Sequence, residues 1–303
     1  MNSQMACCCP PKLTGLNVRH ADQRHGMCLP LLGSLYDTVT LTPLKCLQTV
    51  LGNPSDPRDY VFPTVSAADK EVTKDHCLRN DTTFYVHCPL FTNLAKPRSQ
   101  SVRSMNIVSA ELDVVAGLPA ACVLHVGKHV KVGTIGNVAE RINEIQRNGH
   151  LPAAGYSRVP YHLLLEIAAG QGTELGRDWE ELRHLYEGLD YTRVGLCIDT
   201  QHAFASGMCE FQTHEDVVKL FDMGNSIATK GISMIHLNDS AKPFRSQVDR
   251  HAPLKEGYIW NREDEGLRSL IQISQDIGMD LISETSNPIA DNVIIKGYMD
   301  GLL

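Results

Sequence analysis

The chain has 303 residues, of which 43% are apolar and 21% are charged, and this balance excludes a disordered protein. Its 28 Lys and Arg and 35 Asp and Glu give a formal net charge of −7, whereas a protein that coats nucleic acid electrostatically is normally basic. The 13 histidines are the unusual feature of the composition, so the search for a functional site begins with them.

The sequence carries no signal for a membrane or a secretory route. It has no stretch of 18 or more apolar residues, which disfavours a transmembrane helix, and the first residues lack the basic and apolar regions of a signal peptide. No CxxC pair occurs among the ten cysteines, and Cys122 and Cys197 lie in apolar runs that are typical of reduced, buried thiols. We expect an intracellular, reducing location, with cytoplasm and nucleus both open, and no membrane partner.

Eight short apolar runs recur along the chain, and such runs are typical of strands buried on both faces. Between them, apolar residues at steps of three and four predict helices within Val102–Val115 and Leu267–Ile277, and Asp178 and Thr213 are predicted N-caps. The predicted strands are Leu13–Val18, Cys46–Leu51, Thr83–Val86, Ala121–Leu124, His162–Leu165, Val194–Ile198, Ile232–Ile235 and Asp280–Ser283.

Strands that alternate with helices eight times predict an α/β protein of the (β/α)8 class, a single TIM barrel whose active site lies at the C-terminal ends of the strands. A doubly wound sheet is the alternative. It normally carries a Gly-rich phosphate turn after its first strand, and Val18-Arg19-His20-Ala21 is not one. We expect residues 1–12 to be a mobile tail and residues 13–303 to be one barrel domain.

Histidine, aspartate or glutamate follows each of the last six predicted strands. In a barrel these strand ends converge on one face. Carboxylates and imidazoles that cluster there stay unpaired or repel one another unless a cation neutralises them. Ligands of these types without a thiolate fit Zn²⁺, with Mn²⁺ or Fe²⁺ as alternatives.

Nine such residues are too many for one ion and are suited to three. Multi-metal sites stabilise the attacking and leaving oxygens of a phosphoryl centre, so the pattern indicates phosphodiester hydrolysis. The nine are His87, His125, Glu166, Asp199, His202, His236, Asp249, His251 and Glu284.

From about Thr83 to Pro288 the sequence resembles the endonuclease IV family of apurinic/apyrimidinic-site endonucleases, and before Thr83 the match is weak. The pair Asp249 and His251 distinguishes this family from barrels with one or two metals. The matching segments are Leu124–Gly127, Leu165–Gly172, Gly195–Phe204, His236–Asp239, Asp249–His251 and Glu284–Thr285.

The resemblance implies an endonuclease of base-excision repair with three zinc ions. Such an enzyme would cleave duplex DNA 5′ to an abasic site and leave a 3′-hydroxyl and a 5′-deoxyribose phosphate. A hydroxide between the first two ions is the implied nucleophile, and Glu166, Asp199 and Glu284 are the predicted catalytic carboxylates. The implied ligands are His87, His125 and Glu166 for the first ion, Glu166, Asp199, His236 and Glu284 for the second, and His202, Asp249 and His251 for the third.

The chain departs from the family pattern at four positions without losing a predicted ligand. Val126 stands where Pro is favoured, Ala168 where Thr is common, and Gln201 where Cys is frequent. Gln247 replaces a frequent Arg, and the loss of that charge is expected to weaken phosphate binding. His129, four residues after a ligand, suits a role beside the metals, a contact with DNA or a structural role.

Contacts with DNA are predicted at two loops. Leu90 and Phe91 follow the first ligand at the positions where the family carries an apolar wedge, which fills the gap left by a flipped-out nucleotide; ordinary loop packing is the alternative. Arg58, after the second strand and near Asn53-Pro54, and Arg250 are further predicted contacts. The loop Gly170-Gln171-Gly172 suits either a phosphate cradle or a tight turn beside the metals.

Two other functions remain open at this stage. A metal-dependent sugar isomerase would use a related barrel with two Mg²⁺ or Mn²⁺ ions, but Asp249 and His251 and the absence of a Lys in a strand-end motif disfavour it. A non-catalytic protein that binds abasic DNA is disfavoured because all nine ligands are present. The expected partner is double-stranded DNA that contains abasic sites, and the protein is expected to be a monomer.

Overall fold

The structure is a computed structural model that describes residues 14–18, 45–51, 57–58, 60–149, 159–190, 193–261 and 264–303. The predicted tail at residues 1–12 and the segment Asn53-Pro54 lie outside the described residues. Among the described residues, no helix combines the length and the apolar character that crossing a bilayer requires.

Eight parallel strands form a closed barrel, so the prediction of a (β/α)8 barrel is confirmed. The strands follow one another around the barrel in chain order, and the last pairs with the first. They are β1 (Thr14–Val18), β2 (Cys46–Val50), β3 (Thr83–His87), β4 (Ala120–His125), β5 (Leu163–Glu166), β6 (Val194–Asp199), β7 (Ile232–His236) and β10 (Asp280–Ser283).

In the strands from β2 onward that form the barrel, alternate residues belong to two separate core clusters. In β4, Ala121 and Val123 belong to a small cluster inside the barrel, while Cys122 and Leu124 belong to the large cluster between the barrel and its helices. Both faces are therefore buried, which explains why the strands appear in the sequence as continuous apolar runs. The same alternation directs the side chain of His125, two positions after Val123, toward the mouth of the barrel.

Eight helices of the described residues surround the barrel or lie at its mouth. The predicted N-caps are confirmed: the Asp178 side chain accepts from the amides of Glu180 and Glu181, and Thr213 forms a capping box with Asp216. The helices are α1 (Ala67–Asn80), α2 (Arg98–Val115), α3 (Ile135–Arg147), α4 (Trp179–Glu187), α5 (Thr200–Ser206), α6 (His214–Ile227), α7 (Glu265–Ile277) and α8 (Pro288–Met299).

A long segment between β7 and α7 crosses the C-terminal mouth of the barrel. It contains a short antiparallel ribbon of β8 (Asp239–Ser240) and β9 (His251–Ala252). The buried Asp239 carboxylate accepts from the amides of Gly257 and Ile259, which ties the end of the segment to its beginning. The predicted buried thiols, Cys122 and Cys197, are also confirmed.

Candidate metal centre

All nine predicted ligands lie together at the C-terminal mouth of the barrel. Seven of them line an open cavity of about 580 Å³. Asp199 and His236 lie deeper and are fully buried. The cavity-lining ligands are His87, His125, Glu166, His202, Asp249, His251 and Glu284.

Strand register brings the ligands into neighbouring positions. His125 at the end of β4 pairs with Glu166 at the end of β5, and Asp199 at the end of β6 pairs with His236 at the end of β7. Because parallel strands place paired residues side by side, each pair presents two ligands on adjacent strands.

The donor atoms form three groups, within each of which all the atoms lie within 4.8 Å of one another. Glu166 belongs to two groups: its Oε2 lies 3.0 Å from His87 Nε2 and 3.1 Å from His125 Nε2, and its Oε1 lies 3.1 Å from His236 Nδ1. The groups are His87, His125 and Glu166; Glu166, Asp199, His236 and Glu284; and Asp199, His202 and His251.

The third group differs in part from the expected set. Asp199, predicted for the second ion alone, has its Oδ2 3.5 Å from His251 Nε2 and so also reaches the third group. The predicted ligand Asp249 is nevertheless close, with its Oδ1 3.5 Å from His202 Nε2 and 3.6 Å from His251 Nε2. Both carboxylates are therefore placed to share a cation with the two imidazoles.

Backbone carbonyls orient two of the imidazoles. His87 donates from Nδ1 to the Cys88 carbonyl at 2.7 Å, and His202 donates from Nδ1 to the Ile167 carbonyl at 2.9 Å. A carbonyl only accepts, so each Nδ1 carries a hydrogen and each Nε2 of a neutral ring offers a lone pair to the site. The Nε2 atom of His87 faces a carboxylate oxygen at 3.0 Å, a contact that a proton on Nε2 satisfies in the metal-free chain and that a metal ion can replace when it binds.

The electrostatics of the cluster are those of an anionic site. Burial raises the pKa of the Glu166 carboxyl, but His125 and His236 outweigh burial and hold that pKa well below its usual value. Burial lowers the pKa of His202, but Asp199 and Asp249 outweigh burial and raise it well above the usual value. The Glu166 carboxyl is therefore ionised, and the site attracts positive charge.

The donor set fits divalent metal. The Nε2 atoms of His202 and His251 are buried and have no hydrogen-bond partner among the described residues. Two ligand atoms bound to one tetrahedral zinc lie roughly 3.3 Å apart, and the contacts of Glu166 with His87 and His125, at 3.0 and 3.1 Å, are close to that spacing. Orphaned imidazole nitrogens that face ionised carboxylates are typical of a metal site.

Three side chains form hydrogen bonds with the predicted ligands that the sequence does not predict. Gln48 contacts Glu284 and His236, and Asn238 donates to Asp199 Oδ2 at 2.7 Å while its Oδ1 accepts from the Glu284 amide at 2.8 Å. The only signal for Gln48 is a polar residue within an apolar strand.

The third of these side chains, Gln171, decides between two interpretations of its loop. Its Oε1 accepts from the backbone N–H of Asp249 at 3.0 Å, and its backbone N–H donates to Glu174 Oε2 at 2.8 Å. The backbone N–H of Gln171 is therefore already hydrogen-bonded within the protein, and the Gln171 side chain positions Asp249. Both observations favour a tight turn beside the metals over a phosphate cradle. Gln201 also holds this segment, by donating to the Val248 carbonyl at 3.0 Å.

The predicted DNA contacts differ in their relation to the cavity. Leu90 is 49% exposed and lines the cavity, as does the exposed Arg250. Phe91 is half-buried, and its ring packs edge-on against Tyr60 with centroids 5.9 Å apart. Arg58 and His129 are exposed but are not among the described residues that line the cavity, so their roles stay predictions.

Behind the loop that carries Phe91 lies a buried acid. Glu111 of α2 is fully buried, and Tyr60, which packs against Phe91, donates to Glu111 Oε1 at 3.0 Å. Burial raises the pKa of Glu111 to about 8, although hydrogen bonds with Cys88 and Tyr60 oppose the shift. Glu111 is therefore a neutral carboxylic acid at neutral pH.

Replacing Glu111 with glutamine is expected to stabilise the protein at alkaline pH. The pKa of this carboxyl is about 8 in the folded chain against an ordinary value of 4.5, so the folded state binds the proton more tightly and stability falls as pH rises between these values. Glu111→Gln removes that loss. Unfolding free energies should match near pH 4 and favour the variant by up to about 4–5 kcal/mol near pH 8.5. Parallel pH profiles for the two proteins would contradict the expectation.

The sequence is similar to known proteins along most of its length. A family model described as "Xylose isomerase-like TIM barrel" matches residues 36–285. "Probable endonuclease 4" of Halothermothrix orenii is 30% identical over 259 residues, which cover 82% of this chain and 88% of that protein. The chain belongs to the endonuclease IV family. The family inferred from the motifs is thus confirmed.

Other relatives agree with membership in the endonuclease IV family. The protein of the same name from Symbiobacterium thermophilum is 33% identical over 210 residues, covering 68% of this chain and 71% of that one. The protein from Alkaliphilus oremlandii is 34% identical over 166 residues, covering 54% and 55%, so the chain matches about half the length of that relative.

Solved structures share the fold of this endonuclease IV family member. Endonuclease IV from Thermus thermophilus superposes with a TM-score of 0.75 at 23% identity, covering 95% of this chain and 99% of that one. A D-tagatose 3-epimerase-like protein superposes with a TM-score of 0.60 at 16% identity, covering 95% and 97%. At these identities the likeness concerns the barrel alone.

Proposed function

We propose that this chain is a metal-dependent DNA repair endonuclease that hydrolyses the phosphodiester 5′ to an abasic site in duplex DNA, leaving a 3′-hydroxyl and a 5′-deoxyribose phosphate. The observation that carries the proposal is the set of three overlapping His and carboxylate groups around one open cavity. Relatives named endonuclease 4 support it.

The donor set supports three Zn²⁺ ions as the cofactor, with Mn²⁺ or Fe²⁺ as substitutes. The first ion would be held by His87, His125 and Glu166, and the second by Glu166, Asp199, His236 and Glu284. His202, Asp249 and His251 would hold the third, with Asp199 within reach. When bound, such ions supply a nucleophilic water at neutral pH and offset negative charge on the phosphoryl centre.

The three carboxylates predicted to be catalytic differ in their contacts within the cluster. Glu166 joins two groups because its two oxygens face opposite sides of the cluster. Asp199 is held by the amide of His202 at 2.9 Å and by Asn238, which leaves it little freedom to turn. Glu284 lines the cavity and presents one oxygen to His236. Rigid carboxylates of this kind keep reacting groups in position.

The rim of the cavity supplies the contacts expected of a DNA-binding surface. The Nη1 atom of Arg250 donates to the Asp249 carbonyl at 2.6 Å, so its guanidinium is held beside the cluster, where it can bind a phosphate. Leu90 supplies an apolar group on the same cavity. A positively charged contact next to an apolar wedge suits a DNA strand from which the abasic nucleotide has been flipped out of the duplex.

Incision of a duplex with one synthetic abasic site tests the proposal directly. Metal-replete protein is expected to cut the strand 5′ to the site and leave an end that a polymerase can extend, whereas an undamaged duplex and a chelator-treated sample stay intact. No incision by metal-replete protein would refute the proposal. Two Mg²⁺ or Mn²⁺ ions per chain, together with interconversion of keto sugars, would favour the sugar isomerase that the epimerase-like fold allows.

Shortening Leu90 to alanine is expected to weaken binding to abasic duplex about 10-fold, because a wedge that leaves water on binding contributes roughly 1–3 kcal/mol. Phe91→Ala is expected to act in the same direction, since Phe91 follows Leu90 directly in the loop and packs against Tyr60. Leu78→Ala is the matched control, because Leu78 is also exposed but lies on α1. Affinity measured by fluorescence anisotropy should fall while metal content stays constant; unchanged affinity in both variants would exclude the wedge.

A further inference from the structure

Gln48 lies at the mouth of the barrel between two of the proposed ligands. It is fully buried in β2, two residues after Cys46, which belongs to the cluster inside the barrel. Alternation along the strand therefore directs the Gln48 side chain into the interior, toward the metal centre.

Both the nitrogen and the oxygen of the Gln48 side-chain amide have hydrogen-bond partners. Nε2 donates to Glu284 Oε1 at 2.6 Å, and Oε1 lies 2.9 Å from His236 Nε2. A carboxylate only accepts hydrogen bonds, so the amide nitrogen must face Glu284. The carbonyl oxygen then faces His236, and an oxygen without a hydrogen requires His236 Nε2 to carry one.

The consequence is that one side chain sets the form of two ligands. With the hydrogen on Nε2, the Nδ1 lone pair of His236 points at Glu166 Oε1 and Glu284 Oε2, each 3.1 Å away. With Glu284 Oε1 engaged by Gln48, Glu284 Oε2 is the oxygen left for a cation. Hydrogen bonds of this kind fix the tautomer and the orientation of metal ligands.

We propose that Gln48 is a positioning residue that selects the metal-binding tautomer of His236 and the metal-binding oxygen of Glu284. The proposal rests on the proposed metal-dependent function, and it concerns the group formed by Glu166, Asp199, His236 and Glu284. A residue that only fills the barrel would support folding without distinguishing this group from the other two.

Gln48→Met tests the proposal, because it keeps the length of the side chain and removes both hydrogen bonds. Removal of such a partner typically weakens metal affinity 10–100-fold. Titration of metal-free full-length protein with Zn²⁺ against a chromophoric chelator should show one of the binding steps weakened by that factor and the others unchanged. Tyr85→Phe is the matched control: it removes a buried hydrogen bond to Asp280 inside the same barrel and should leave every step unchanged.

Unaltered Zn²⁺ affinity in Gln48→Met would overturn the proposal, as would an equal weakening of all steps with a lower melting temperature of the metal-free protein. If Gln48→Met does not fold, Gln48→Glu serves instead. The glutamate has the same size and keeps an acceptor for His236, but it places a second carboxylate against Glu284. It should therefore weaken the same Zn²⁺-binding step. The readout is metal binding, so wild-type protein that binds three ions without cutting abasic DNA would refute the endonuclease and leave the role of Gln48 standing.

Discussion

Glu166→Gln is expected to abolish incision of abasic DNA, with a loss of at least about 1,000-fold, equal to roughly 4 kcal/mol of transition-state stabilisation. Among the described residues, Glu166 is the one side chain whose oxygens approach His87, His125 and His236 at 3.0–3.1 Å. The amide removes the negative charge and turns an N–H donor toward at least one imidazole lone pair. Metal content measured by mass spectrometry should fall by up to two ions per chain, because two groups share this carboxylate.

Glu111→Gln is the matched control for that experiment, since it makes the same chemical change at another fully buried glutamate. Glu111 is outside the three ligand groups and is neutral at neutral pH, so its amide variant should retain metal and incision. A Glu166→Gln protein with normal metal content and normal incision would show that the carboxylate does not bridge the two groups.

The barrel and the convergence of the six His, Asp and Glu residues at its strand ends could be predicted because one physical rule governs both. A strand buried on two faces appears as a continuous apolar run, and the first charged residue after the run marks where the strand leaves the core. His125 and Glu166 follow this rule, and the register then places them side by side. No tertiary information was needed, since closure of the barrel brings every such strand end to one face.

The residues that hold the ligands follow no such rule. Gln48 is remote in sequence from His236 and Glu284, and a glutamine within a strand has no special meaning until the barrel closes. Gln171 and Asn238 act through hydrogen bonds whose partners lie on other loops. Asp199 belongs to the third group as well as the second because its Oδ2 approaches His251, and this contact depends on the path of the segment after β7. Spacing in the chain cannot predict these contacts because they depend on distances between elements.

The sequence also does not predict which of the two wedge residues is exposed in the cavity. Leu90 and Phe91 are adjacent in sequence and both apolar, yet Leu90 lines the cavity while Phe91 packs against Tyr60. Tyr60 precedes α1 and donates a hydrogen bond to Glu111. The difference between the two wedge positions therefore depends on a contact with a residue that is remote in sequence.

Removal of metal is expected to abolish tight binding of abasic DNA as well as incision, with affinity falling at least about 100-fold, since like charges placed together at an interface cost several kcal/mol. Without metal ions, the carboxyl groups of Glu166, Asp249 and Glu284, which line the cavity, face the phosphates of the substrate. Three divalent ions add six positive charges and change the formal net charge from −7 to −1, and they would be the largest positive charges at the mouth.

The acidic composition therefore argues against a DNA partner only for the metal-free chain. Anisotropy titrations with an abasic duplex should show strong binding by metal-replete protein, weak binding after chelation, and recovery when Zn²⁺ is restored. Incision has to be blocked during the measurement, and a non-hydrolysable phosphorothioate at the scissile position serves that purpose. If stripped protein bound the duplex as tightly as the metal-replete form, the basic side chains of the rim, such as Arg250, would have to supply the affinity without the ions.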